Sequence, residues 1–483
     1  MFVLRLVAAI VAIAALTELT GDLVDKARAP APEEPRAAAP ETPAGEEDDD
    51  RRSRPAPQLV HEGDPTVYDA QEVLDGRCTR QRGSFGPASR GSGLDDDVAT
   101  ISRRVERIRW LDFRRPVDTR LVSRSEVGAR FVSSYLRRYG EREAARDQQV
   151  LVALRLLPEG ADLRELTAGL LGQGVAGFYS PRKDRLYAGG SGDALTPYDE
   201  MVLAHELDHA LVDQALRLPG TLSRDPMLGD TMLAHQALGE GDATLVMIRY
   251  AAARFTEGEL DAFLSRFTQR TVQASTDVPY FVARASEFPY YEGLLFVCSE
   301  WRPREWDAVD RMYLRPPAST ADVLFPFRYH EDNEVELPRS PASPGAAWGR
   351  PRAASFGAFD LMVLLENADL ASKGETIPGS HVDAVRGWDG GVLHSWLRGP
   401  RTTIHLGLVD AGVETPDGRD RRLCGVLRRW FLESFPDATL ARPRIRSAEA
   451  WKTGGELAIL RCKGREVELG KGPSPRAVRR LFG

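Results

Sequence analysis

The chain has 483 residues, 42% of them hydrophobic and 28% charged, with a formal net charge of −7 at pH 7. That length allows two or three domains, and that apolar content supports a real core. No broad basic field is present, which excludes nucleic acid as the expected partner.

The chain opens with "MFVLRLVAAIVAIAALTELTGD". Arg5 precedes an uncharged, mostly apolar run at 6–16, shorter than the about 20 residues that a membrane span needs. Residues 1–20 are expected to be a signal peptide, with Ala12-Ile13-Ala14 as a candidate cleavage site, or an uncleaved N-terminal anchor. No Cys stands near that site, which excludes a lipoprotein. Residues 21–64 are rich in Pro, Ala and acid, with an acidic run from Glu46 to Asp50. Such a composition buries too little apolar surface to offset ordering entropy, so a disordered linker is expected. A second loop covers 80–93, and folded pattern begins near Asp95.

Four helices follow by pattern. The first, 98–111, is amphipathic. The second, 123–139, opens on the capping box Ser123-x-x-Glu126 and stops at Gly140. The third is 143–157 and the fourth 162–171. The period then changes in "VAGFYSPRKDRLYAGG" (175–190), where β-rich ends flank a polar turn, a hairpin signal. Either 175–179 or 185–188 can pair with a substrate backbone by strand addition, or the hairpin is purely structural.

The stretch "MVLAHELDHALVDQ" (201–214) contains His205-Glu206-Leu207-Asp208-His209, an H-E-x-x-H. Thr196 is a good N-cap, Pro197 suits the first helical position, and Asp199 can reach back, so one helix is expected over 197–216. On it, residues four apart share a face, and His205 and His209 can point at one ion. Glu206, one step round, can serve as general base for a zinc-activated water. The plainer reading is a solvated helix face with a Glu–His contact. The charged Asp208, at a position that is usually uncharged in metallopeptidase helices, favours that plainer reading, although it can sit on the outer face.

A catalytic zinc needs a third protein ligand. Position 215 is Ala, which excludes a metzincin. The candidate is Glu240, in "LAHQALGEGDATLVMIRY" (233–250), on a second long amphipathic helix. His235 lies five residues earlier, about 140° round a helix, and cannot face the same ion. Asp242 and Asp213 are candidates to accept the outer N–H of a ligand imidazole, or are ordinary charges.

Further helices are expected at 257–272, 291–300 and 304–313. Tyr290 and Tyr329 are candidate donors to an oxyanion, with Arg328 and His330 behind them; each Tyr can equally be a core residue. "RSPASPGAAWGRP" (339–351) marks a domain boundary. Beyond it come a helix at 356–367, strands at 392–397 and 402–409, a helix at 420–435, and a hairpin of 457–462 with 466–469. His381, His394 and His405 lie here without metal-ligand spacing. The four cysteines, Cys78, Cys298, Cys424 and Cys462, form no C-x-x-C. Export permits disulfides. Of the three pairings Cys424–Cys462 is favoured, both residues falling in the C-terminal part; four free thiols is the alternative.

"HELDHALVDQ" followed by "ALGEGDAT" resembles a family of bacterial extracytoplasmic zinc metallopeptidases that carry H-E-L-x-H-A-L-x-D-Q and then A-L-x-E-G-D-A. The resemblance runs over roughly 98–470. It includes "VERIRWLDFRRPV" (105–117), "GVAGFYSPRKDRLYAGG" (174–190), "FPYYEGLLFV" (288–297), "YLRPPASTADVLFPFRY" (313–329), "FGAFDLMVLLE" (356–366) and "GWDGG" (387–391). It implies an α+β fold: a mainly helical, zincin-like metallopeptidase domain with a small β-hairpin or sheet over 65–338, then an α+β accessory region over 339–483. It also implies a gluzincin-like site, with Zn2+ held by His205, His209 and Glu240 and Glu206 as base. Peptide or protein would be the substrate, in a protein that is secreted, periplasmic or anchored by its N-terminus. Two departures stand out. Phe325 replaces a His that the family carries in Leu-His-Pro, and Gly239 replaces a bulkier residue, so that Gly239 and Gly241 are expected to mount Glu240 flexibly. These motivate an alternative, a catalytically weak or inactive zincin-fold module that binds or supports at the cell envelope. A zinc hydrolase acting on something other than peptide is the third reading.

Overall fold

The computed structural model describes residues 77–79, 83–88, 93–174, 177–181, 183–189, 195–216, 225–256, 258–259, 278–331, 334–373, 381–412 and 423–483. The expected signal or anchor at 1–20, the linker at 21–64 and nearly all of the helix expected at 257–272 lie outside them. Helices dominate the described residues, with two separate sheets, a mixed architecture compatible with the α+β expectation.

Helix α1 (Leu94–Arg109) buries Ile101, Val105 and Ile108, the spacing of one helix face. Strand β1 (Asp118–Val122) follows, an element that the sequence pattern did not single out. Ser123 then caps α2 (Arg124–Arg138), accepting from the Glu126 amide at 3.2 Å. Gly140 is not a left-handed stop: its φ is −71°, and it is the N-cap of α3 (Glu141–Ala153). After α4 (Leu163–Gly174) come β2 (Gly177–Ser180) and β3 (Arg185–Gly189), the expected hairpin. Strand β1 joins it, running parallel to β3, so the order is β1-β3-β2. Strand β3 therefore has partners on both sides, which removes 185–188 as an edge for substrate. Among the described strands of this sheet, β2 and β1 hold the open edges.

Helix α5 (Pro197–Leu216) has the expected bounds and the expected cap: Thr196 N donates to Asp199 at 2.9 Å, and Asp199 N to the Thr196 hydroxyl at 3.2 Å. It packs against α6 (Gly229–Arg254), and α6 packs against α7 (Tyr280–Arg304). The helix expected at 291–300 thus begins at Tyr280 and runs through Pro289. Buried Phe288, Tyr290, Leu294 and Phe296 override the roughly 3 kcal/mol that a mid-helix proline costs. Where α6 meets α7 the backbones touch. A Cβ on Gly241 would stand 2.3 Å from the carbonyl carbon and oxygen of Gly293, and one on Gly293 would stand 2.2 Å from the Ala237 carbonyl oxygen. Gly241 thus serves a close helix–helix contact, not a flexible mounting for Glu240.

Three shorter helices, α8 (Trp306–Leu314), α9 (Thr320–Leu324) and α10 (Pro326–Tyr329), lead to β4 (Arg352–Ser355) and α11 (Ala358–Lys373). The rest comprises β5 (Trp388–Arg398), β6 (Arg401–Asp410), α12 (Leu423–Ser434), β7 (Thr439–Leu440), β8 (Ala448–Thr453), β9 (Glu456–Lys463), β10 (Glu466–Gly472) and α13 (Pro475–Arg480). The seven strands form one antiparallel sheet in the order β4-β5-β6-β10-β9-β8-β7. One apolar core cluster takes residues from both sides of 339–351, including Leu207, Leu245, Phe288, Phe359, Trp388, Leu406 and Leu469.

All four cysteines are paired. Cys424–Cys462 ties α12 to β9, and Cys78–Cys298 ties the short turn at Arg77–Thr79 to α7. Two disulfides are compatible with an oxidising compartment outside the cytoplasm. Among the described residues no helix is long and apolar enough to cross a membrane.

Candidate metal centre

Helix α5 is buried on nearly every side. Its polar residues His205, Glu206, Asp208 and His209 are at most 7% exposed. Burying that many polar side chains is unfavourable unless each finds a partner, so their partners define the site. His205 Nε2 lies 3.2 Å from Glu240 Oε2, His209 Nε2 lies 3.4 Å from the same oxygen, and the two imidazole nitrogens are 3.1 Å apart. Glu240 is fully buried on α6. Tetrahedral ligands at bonds of about 2.0–2.1 Å stand about 3.3 Å from one another. The three atoms form a triangle of that size, and the donor set of two imidazoles and a carboxylate suits a divalent cation. Among the described residues they are the one group of three or more such side chains converging this closely.

The electrostatics follow from burial. His205 titrates below its ordinary value because burial disfavours the cation, against the pull of Glu240. Burial also lowers His209, but the charge of Glu240 and its hydrogen bond outweigh it and lift the group to about 9. Burial would raise Glu240, yet the two imidazoles hold it well below the carboxylate range. The cluster is built to keep a carboxylate ionised against positive charge.

Glu206 stands outside the triangle. Its Oε2 accepts the backbone N–H of Tyr179 on β2 at 2.8 Å. Burial pushes its carboxyl up to about 7. The contact depends on Gly177, where a Cβ would meet Val202 Cγ1 at 2.8 Å and Glu206 Cγ at 3.3 Å. The Tyr179 hydroxyl lies 2.9 Å from Asp184 and 3.0 Å from Asp213 on α5. Asp213 is thus placed beside the β2–β3 turn.

Asp208 corrects the sequence reading. It is not on an outer face but 1% exposed, 4.0 Å from the Arg109 guanidinium. Asp242 accepts from Arg109 Nε and Nη2 at 3.2 and 3.1 Å and from the Tyr313 hydroxyl at 2.9 Å. The Nδ1 of His205 has no hydrogen bond of good geometry, although the Ala243 carbonyl acts on that ring. Asp242 therefore faces a buried arginine rather than serving a ligand imidazole.

Tyr290 is fully buried on α7 with its ring centroid 6.2 Å from that of His205. Tyr329 is not a donor to the site: its hydroxyl donates to the Arg315 carbonyl at 2.7 Å, and its ring packs on Phe296. Arg328 is engaged with Asp389, and His330 with Glu300. His235 stays outside the triangle. Arg109, Asp310, Tyr313 and the Tyr179 amide were missed from sequence. The charged letter at Asp208 within the H-E-x-x-H was the available signal for a buried cation nearby.

Comparison of the chain with family models, curated proteins and solved structures finds no match.

Proposed function

We propose that the protein is an exported zinc-dependent metallopeptidase of the gluzincin-like type that the motifs resemble. The observation that carries this reading is the triangle of His205, His209 and Glu240, with the Glu206 carboxylate left beside it. When bound, a zinc ion would supply Lewis acidity, polarising a carbonyl and acidifying a water. Glu206 would take the proton of the attacking water and pass it to the departing amine, a task suited to a carboxyl poised near neutrality. The Tyr179 N–H fixes the orientation of that carboxyl. Of the two tyrosines, Tyr290, whose ring centroid lies 6.2 Å from that of His205, would be the oxyanion donor. The two disulfides favour a location outside the cytoplasm, where the N-terminal segment would secrete or anchor the chain.

One observation favours a second reading. All four site residues are nearly inaccessible, as suits a structural metal in a binding module of the envelope, since structural sites are closed and catalytic ones keep a position open. Cleavage of a mixed peptide library by the full chain, with Glu206→Gln alongside, separates the two. The peptidase reading expects cleavage by the wild type and a loss of about 100-fold or more in the variant. Identical, uncleaved profiles leave the binding module or a non-peptide substrate.

A further inference from the structure

Arg109 is the last residue of α1, 133 positions from Asp242 in the chain. Its side chain is fully buried with its Cζ 4.6 Å from the Trp306 ring centroid. Around it stand three carboxylates from three helices: Asp242 on α6 at 3.1 Å, Asp208 on α5 at 4.0 Å and Asp310 on α8 at 2.7 Å. The Tyr313 hydroxyl closes the group on Asp242 at 2.9 Å.

The placement of two of these acids gives the cluster its meaning. Asp208 is the residue before His209, and Asp242 is two residues after Glu240. The cation therefore stands between the two helices that carry the candidate ligands, hydrogen-bonded to Asp242 on α6 and in charge contact at 4.0 Å, without a hydrogen bond, with Asp208 on α5, one turn or less from the ligands themselves. A buried ion cluster is weak evidence for stability, because desolvation cancels most of the Coulomb gain; its better-attested use is to fix one register between elements. Planar guanidinium donors suit that use, since they reach several carboxylates at set angles, which an ammonium cannot.

Resting on the metal reading above, we infer that Arg109 is a positioning residue: it locks α5 against α6 so that His205, His209 and Glu240 meet at metal-binding separations. Metal sites tolerate little more than about 0.5 Å of misplacement. Groups that hydrogen-bond a metal ligand directly are worth about 10–100-fold in metal affinity; Arg109 acts one step further out, through Asp242 and Asp208, so a loss at the lower end of that range is expected.

The test uses the full chain and cobalt(II) chloride as the probe, whose visible absorption reports ligand geometry. Arg109→Lys keeps the charge and removes the fork. Tyr313→Phe removes one hydrogen bond on Asp242 with little change of volume, and decides the matter if the lysine variant does not fold. Arg428→Ala, which breaks the exposed pair with Glu449, is the control. The inference expects the Kd for cobalt to rise about 10-fold, the lower end of that range, in Arg109→Lys, and less in Tyr313→Phe. Both should show a displaced absorption band, with the control unchanged. Variants that lose thermal stability without metal but bind cobalt with wild-type affinity and spectrum overturn it, since Arg109 would then be merely structural. Wild-type protein that binds no cobalt overturns the metal reading and this inference together.

Discussion

Replacing the two glycines that flank Glu240 by alanine should have effects of opposite sign. At Gly241 the new Cβ would stand 2.3 Å from the backbone carbonyl of Gly293 and 2.9 Å from the Leu294 nitrogen. Carbon contacts settle at about 3.5 Å, so α6 and α7 would have to part by about 1.2 Å. Overpacking of that kind costs about 1–3 kcal/mol, against the at most about 1 kcal/mol that alanine gains over glycine in a helix. At Gly239 nothing lies within 4 Å of the added Cβ, so the substitution should stabilise by about 0.5–1 kcal/mol. Because the displacement at 241 is carried by the helix that holds Glu240, Gly241→Ala should also weaken metal binding, and Gly239→Ala should not. Urea unfolding followed by circular dichroism in the presence of a chelator measures the first effect, and zinc competition against a chelating dye the second. Equal shifts of the same sign for both variants would refute the close-contact reasoning.

The disulfides close loops of very different size, with sequence separations of 220 and 38. By chain entropy, removing Cys78–Cys298 should cost about 5 kcal/mol and removing Cys424–Cys462 about 4. Unfolding midpoints of the paired Cys→Ser variants and non-reducing peptide maps check this, and free thiols in the native protein would contradict it. Gly177→Ala should push β2 off α5 and loosen the 2.8 Å Tyr179–Glu206 bond; any peptidase activity should fall while zinc stoichiometry is kept, and loss of metal instead would count against the role given to that contact. Glu366 is raised by burial from an ordinary 4.5 to about 7, against the pull of Arg284. The native state then holds its proton where the unfolded chain has lost it, so this contribution is complete below about pH 4.5 and disappears as pH rises through 7. Glu366→Gln, which still accepts from Tyr280, should remove up to about 3 kcal/mol of pH dependence between those limits; parallel stability–pH curves for the two proteins would refute the assignment.

The candidate ligands were legible because each rests on local signals. Thr196, Pro197 and Asp199 fix where α5 begins, and from there the i, i+4 spacing of His205 and His209 is geometry. Glu240 was reachable because α6 is the next long helix. The β2–β3 hairpin and the C-terminal strands were legible for the same reason, with turn chemistry between runs of strand-forming residues. What escaped depends on distant chain. Strand β1, "DTRLV", pairs in parallel with β3 across 67 positions and has no turn to announce it. Arg109 finds its carboxylates 99, 133 and 201 residues away by subtraction of positions, and no periodicity encodes such a contact. Helix α7 starts at Tyr280, before the expected 291, and runs through Pro289, whose local preference yields to the burial of its neighbours. Asp208 was misplaced because a charged residue is expected at the surface unless its partner is known.

Zinc content tests the central claim most directly. The full-length protein, purified without added metal, equilibrated with zinc, freed of excess and measured by mass spectrometry for metal per chain, should carry about one zinc. Glu240→Ala and His209→Ala, treated identically, should carry close to none while keeping the wild-type circular dichroism. Wild-type protein without zinc, or a Glu240→Ala variant that retains it, would contradict the account.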